Sequence, residues 1–161
     1  MPSRVSAGLI LYRVRPRGVE VLLAHPGGPF FVHKDAGHWT IPKGEVEEGR
    51  DLFETAKKEF AEEIGMPPPL NTTYIPLGSI RQKGGKTVHA WACRGDLTEG
   101  FVVTSNSFSI EWPPGSGTRR EFPEVDRAEF FSLDEARQKI KAAQIPLLDE
   151  LARLLASGEI R

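Results

Sequence analysis

The sequence predicts a domain of mixed α/β character, and three observations predict it. Short apolar runs with strand character occupy the start and the middle of the chain, a capped acid-studded helix lies between them, and a leucine-striped helix stands near the end. Strands, helix, strands and helices in that order argue an α/β or α+β layering. The 161 residues are expected to form one domain, 1–161, large enough for a substantial core. Apolar residues at 39% and charged residues at 27% exclude a disordered or membrane-embedded class. With a net charge of −1 there is no broad basic surface, so no stable nucleic-acid partner is expected, and any polyphosphate site must be built locally from a few cations. Cys93 is the sole cysteine, which rules out an internal disulfide and fits a reducing compartment. No apolar stretch reaches membrane-spanning length and no signal-peptide pattern opens the chain, so the cytoplasm is the expected location.

In chain order, Val5 to Tyr12 and Val19 to Ala24 read as strands joined by the Pro16-Arg17-Gly18 turn. His25 to Gly37 is too rich in Gly and Pro for regular structure, and a loop of that length is commonly functional. His25, His33 and His38 lack metal-site spacing; His38 is kept open as a substrate contact. Asp51 and Glu54 form a D-x-x-E capping box that starts a helix, and Gly65 with Pro67, Pro68 and Pro69 ends it. Tyr74 to Gln82 and Thr87 to Cys93 read as two strands, and Gly84-Gly85 suits a two-residue type I′ turn between them. Val102-Val103 reads as a short strand. Phe108 and Trp112 either pack on the sheet or offer a stacking face to a nucleobase, and Arg119 and Arg120 can fork onto phosphate oxygens. Ala128 to Phe131 is a strand, Ser132 with Glu135 caps a helix, and a last helix begins near Pro146 with its stripe at Leu147, Leu148, Leu151, Leu154 and Leu155.

The informative stretch is 39–66. Glu59, Glu62 and Glu63 stand at i, i+3 and i+4, on one side of the helix, beside an apolar stripe of Phe53, Ala56, Phe60 and Ile64. Like charges at that spacing repel by about a few tenths of a kcal/mol per pair. A hard divalent cation would neutralise them, with magnesium or manganese suited to carboxylate oxygens; a solvated acidic face is the alternative.

Written with its spacing, Gly44 to Met66 is G-x5-R-x7-K-E-F-x-E-E-x-G-M. It resembles the Nudix box, G-x5-E-x7-R-E-U-x-E-E-x-G-U, in which U is a bulky aliphatic residue. Gly44, Glu59, Glu62, Glu63 and Gly65 agree with it; Arg50 and Lys58 replace a glutamate and an arginine that commonly pair in that family. The resemblance implies an α/β/α sandwich with a mixed central sheet, and a magnesium- or manganese-dependent hydrolase of nucleoside diphosphate-linked substrates. It implies metal ligation by Glu59, Glu62, Glu63 and the Lys43 carbonyl. It also implies a further carboxylate from outside the box, as ligand or general base, for which Glu124 is the candidate and Glu121 the reserve. Glu62, Glu59 and Glu124 are the expected catalytic set, with Lys43, Arg81, Lys83, Trp112 and Arg119 as substrate contacts. The run His38-Trp39-Thr40-Ile41-Pro42-Lys43-Gly44 is similar to the corresponding segment of diadenosine tetraphosphate hydrolases, which favours dinucleoside polyphosphates. Nucleoside triphosphates, ADP-ribose-type substrates and a non-catalytic nucleotide-binding role are the alternatives.

Overall fold

The first strand, β1 (Val5–Arg15), is apolar on both faces and therefore sits at the centre of a covered sheet. The computed structural model describes residues 4–160, so positions 1–3 and 161 of the expected 1–161 domain lie outside it. After β1 come β2 (Gly18–Pro26), β3 (Lys43–Glu45), α1 (Leu52–Ile64), β4 (Ile75–Arg81), β5 (Thr87–Arg94), β6 (Ser107–Glu111), β7 (Arg119–Pro123), β8 (Val125–Ser132), α2 (Leu133–Lys139) and α3 (Ile145–Ala156). The main sheet has six strands in the order β4-β5-β1-β2-β8, with β3 also paired to β1. The β1–β5 pair is parallel and the others are antiparallel, so the sheet is mixed, as the resemblance implied.

Strand alternation sorts β1 between two cores. Leu9 and Leu11 join Leu22, Phe60, Ile64 and Cys93 under α1. Ile10 and Tyr12 join Val21, Leu23, Trp39, Ile41, Leu148 and Leu151 under α2 and α3. This is the α/β/α sandwich. Each fully buried Leu or Ile side chain contributes about 1.5–3 kcal/mol relative to an exposed one.

Local chemistry fixes α1 as expected. The Glu54 N–H donates to Asp51 Oδ2 at 2.9 Å, and Gly65 takes φ 95° at the C-terminus, a left-handed position that suits a residue without Cβ. Ser132 caps α2 through the Glu135 N–H at 3.2 Å, and Pro146 occupies the first turn of α3.

Two expectations need correction. Val102 and Val103 form no strand: the backbone that follows binds α1 instead, with the Thr104 N–H on the Ile64 carbonyl and the Asn106 N–H on the Glu62 carbonyl. These bonds satisfy carbonyls that the helix end leaves free, which outcompetes a strand with no neighbour. The Gly84-Gly85 turn is one residue longer than a two-residue turn. Both glycines have positive φ, but the Gly85 N–H bonds the Gln82 carbonyl and the Gln82 N–H bonds the Lys86 carbonyl, which closes the loop around three residues. The β6–β7 hairpin, a separate two-stranded sheet, and the short β3 were not legible in the sequence.

Candidate metal and phosphate site

The box loop and α1 meet through a missing side chain. A Cβ on Gly44 would stand 2.1 Å from Glu59 Cδ, so only glycine lets this carboxylate lie against the loop. The Lys43 N–H reaches Glu63 Oε1 at 3.4 Å. Lys43 opposes Gly8 in the β1–β3 ladder, and the flanking bonds run from the Leu9 N–H to the Pro42 carbonyl and from the Val46 N–H to the Val5 carbonyl. The alternation of an antiparallel ladder then makes Lys43–Gly8 a non-hydrogen-bonded pair, with the Lys43 N–H and C=O turned away from β1 toward the glutamates. The Lys43 carbonyl is thus a hard oxygen at the edge of the carboxylate group, turned away from the β1 ladder.

The carboxylates are crowded. Burial first, and then Glu59, push the Glu63 carboxyl up to about 8, against the lowering pull of the Lys43 N–H and charge. Burial, followed by the charge of Glu62, also raises Glu59. Glu62 is turned partly outward onto Lys58 Nζ at 3.2 Å, one turn earlier on α1. Arg50 meets Glu47 at 3.7 Å and is exposed, so the pair expected of the resembling family is replaced by two separate contacts. Among the described residues, no three His, Cys, Asp or Glu side chains converge tightly enough to hold a metal as they stand. The donor set nevertheless suits a hard divalent cation: carboxylates in mutual repulsion, a backbone carbonyl, and a glycine that clears their approach.

Glu124 arrives from outside the box. Its N–H donates to the Asn106 carbonyl at 2.8 Å, and the Asn106 N–H donates in turn to the Glu62 carbonyl of α1 at 2.9 Å. Its charge acts on both Glu59 and Glu63. The reserve, Glu121, lies on β7 opposite Ser109.

Lys43 carries the site to the other face of the sheet. Its side chain shares a face with Gly8, where an added Cβ would come 2.8 Å from Lys43 Cβ. There, burial and the neighbouring charges of Lys86 and Lys141 depress its ammonium to about 8. No carboxylate forms an ion pair with Lys43, Lys86 or Lys141 among the described residues. Beside this group Gln144 accepts from the Ile41 N–H and donates to Gln82 and Thr40, which holds the strand and helix ends together. Lys86 belongs to the cation cluster of the β4–β5 turn that the sequence shows with Arg81 and Lys83, whereas Lys141 was not singled out, because the turn before α3 becomes a neighbour of Lys43 only after folding. By contrast, a cavity of about 790 Å³ beside the box loop is lined by Glu45, Glu47 and Glu48 with Arg4 and Arg50, and its acidic wall is ill suited to a polyphosphate.

Of the remaining expected contacts, Arg81 and Lys83 lie exposed at the β4–β5 turn. Trp112 stands edge-on to Phe30 at 5.4 Å, a partly exposed aromatic pair where the 27–38 loop meets the β6–β7 hairpin. Arg119 is engaged by its own hairpin, through the Ser109 carbonyl at 2.8 Å, and Arg120 lies over Phe122. His38 tilts against Phe31.

The sequence model described as NUDIX domain matches residues 2–151 of this chain. No curated protein matches the sequence. Among solved structures, the Ap4A hydrolase of C. elegans in a binary complex is 23% identical with a TM-score of 0.68, over 94% of this chain and 98% of that one. A mutT/nudix family protein from Listeria innocua is 16% identical with a TM-score of 0.64, over 99% and 98%. The NUDIX domain of Shewanella oneidensis NrtR, solved with ADP ribose, is 16% identical with a TM-score of 0.59, over 96% and 90%. At these identities the likeness is one of fold.

Proposed function

This chain belongs to the NUDIX domain family and is a Nudix hydrolase acting on pyrophosphate bonds; from that premise we propose that it is a magnesium- or manganese-dependent hydrolase of dinucleoside polyphosphates such as diadenosine tetraphosphate. The observation that carries the proposal is the double placement of Lys43. Its backbone borders the glutamates while its side chain joins Lys86 and Lys141 on the opposite face. A polyphosphate chain long enough to cross that edge can meet cations on one side and carboxylates on the other. The similarity of segment 38–44 to diadenosine tetraphosphate hydrolases supports the same reading.

Glu59, Glu62, Glu63, Glu124 and the Lys43 carbonyl would hold the ions, with Glu62 turning off Lys58 to do so. Bound divalent cations supply charge neutralisation and Lewis acidity at the anhydride. Lys43, Lys86 and Lys141 bind and orient the phosphates, with Arg81 and Lys83 reaching the outer end of the chain. Trp112 offers a face to a nucleobase, and Arg119 supports its hairpin. Glu124 or a box glutamate accepts the proton of the attacking water. A second reading, a nucleotide-binding module without turnover, is favoured by one observation: the exposed Arg50 pairs with Glu47 and Lys58 with Glu62, in place of the glutamate–arginine pair common in the family.

The test is phosphate or nucleotide release from a panel of diadenosine polyphosphates, nucleoside triphosphates and ADP-ribose. Wild type should turn over diadenosine tetraphosphate fastest. Glu62→Gln and Glu63→Gln should fall to background, and Lys86→Ala should raise KM most for the longest phosphate chain. Equal turnover by wild type and both glutamine variants would remove the metal site, and nucleotide binding without turnover would select the second reading.

A further inference from the structure

His25 is a fully buried imidazole with both ring nitrogens engaged. Its Nε2–H donates to the Lys34 carbonyl at 2.6 Å, and Nδ1 faces Asp126 Oδ1 at 2.7 Å. A carbonyl can only accept, so Nε2 carries hydrogen, and a proton must also lie between Nδ1 and the carboxylate. The ring stands edge-on to Trp39 at 5.1 Å, which fixes its plane. The β2–β8 register breaks at this point. His25 opposes Arg127 but Pro26 opposes Val125, so Asp126 is the extra residue of a bulge. Bulges bend a strand and re-aim the side chains beside them. Two residues before Asp126 stands Glu124, whose carbonyl accepts from the Gly27 N–H at 2.9 Å, two residues after His25.

We propose that His25 is a positioning residue which, by holding Asp126 in the bulge and Lys34 in the loop, aims Glu124 at the carboxylates of α1. The inference rests on the reading of Glu124 as a member of the site. A plain ladder would pair Pro26 with Asp126 and carry Glu124 out of step with Gly27. The His25–Asp126 bond stabilises the extra residue against that slip. The Asn106 backbone, bonded to both Glu124 and α1, then sets the distance from the helix. His25 touches neither phosphate nor metal ligand, and its effect passes through the β8 backbone.

The test measures Mn²⁺ affinity of the full chain from the electron paramagnetic resonance signal of free Mn²⁺, together with kcat and KM on diadenosine tetraphosphate. It covers wild type, His25→Phe, Glu124→Gln and the double variant. Phenylalanine keeps the ring against Trp39 and removes both hydrogen bonds. Supporting residues behind metal ligands typically change affinity or activity by about 10–100-fold. The expected result is a loss of about tenfold or more in Mn²⁺ affinity for each single variant, a fall in kcat with a smaller change in KM, and a double variant no worse than Glu124→Gln alone. Asp126→Ala, which reaches the same bulge from its partly exposed side, should reproduce the loss, and Asp126→Asn should retain most of the affinity. Wild-type affinity in His25→Phe and Asp126→Ala would overturn the proposal, as would losses that multiply in the double variant. Unchanged affinity in Glu124→Gln would overturn the role of Glu124 and the proposal with it. Loss of Mn²⁺ affinity in a chain that turns over no diadenosine tetraphosphate would reject the substrate reading while sustaining the positioning role.

Discussion

Two residues illustrate how little freedom the interior leaves to a single side chain. Gly44 is needed for space, since any Cβ would collide with the Glu59 carboxylate 2.1 Å away. Gly44→Ala should therefore displace Glu59 and weaken Mn²⁺ binding and turnover more than stability, as titration calorimetry and thermal melting would show together. Cys93 is fully buried beneath α1, and burial pushes its thiol up to about 12 from 9.0. The unfolded chain sheds that proton first, so from pH 9 upward the native state binds more protons than the unfolded one and stability declines toward pH 12. Urea midpoints across this alkaline range should fall for the wild type and fall less for Cys93→Ala. Native Cys93 should also resist thiol reagents until the protein unfolds.

At the scale of the element, α1 sets an apolar edge beside an edge of carboxylates. Ala56, Phe60 and Ile64 are fully buried, while Glu59 and Glu63 line the edge above them. Any loosening of the helix is therefore felt by the carboxylates. Asp51 accepts from the Glu54 N–H, and its replacement by alanine should cost about 1 kcal/mol, the usual value of such a cap. Urea unfolding would measure this directly. The 104–106 segment completes the element from outside: its N–H groups take two C-terminal carbonyls of α1, and this same attachment brings Glu124 within electrostatic reach of Glu59 and Glu63.

Across the whole molecule the two faces of the sheet do different work. The α1 face presents carboxylates and the α3 face presents lysines, with Lys43 between them. Trp39 anchors the 27–38 loop to the core beneath α2 and α3. It is 1% exposed, donates its indole N–H to Asp35 at 2.8 Å, and stands edge-on to Phe131 and His25. Truncation of such a residue costs about 3–5 kcal/mol. Trp39→Ala should lower the melting temperature by many degrees and loosen the 27–38 loop, which hydrogen exchange at Lys34 to His38 would reveal. Among the described residues no helix is long and apolar enough to cross a membrane.

Much of the local structure was present in the sequence. The Asp51 and Ser132 caps, the Gly65 stop, the β1–β2 hairpin, the leucine stripe of α3 and the spacing of Glu59, Glu62 and Glu63 all depend on neighbours within a few residues, where helix and strand periodicity govern the outcome. Only the tertiary structure decided which distant groups become neighbours. Lys86 and Lys141 reach Lys43 because a parallel β1–β5 pairing and the packing of α3 bring them there. Asp126 finds His25 because a bulge puts β2 and β8 out of step. The expected strand at Val102-Val103 gave way to bonds with the end of α1 for the same reason: unpaired carbonyls of a helix are a stronger local demand than two β-branched side chains without a partner.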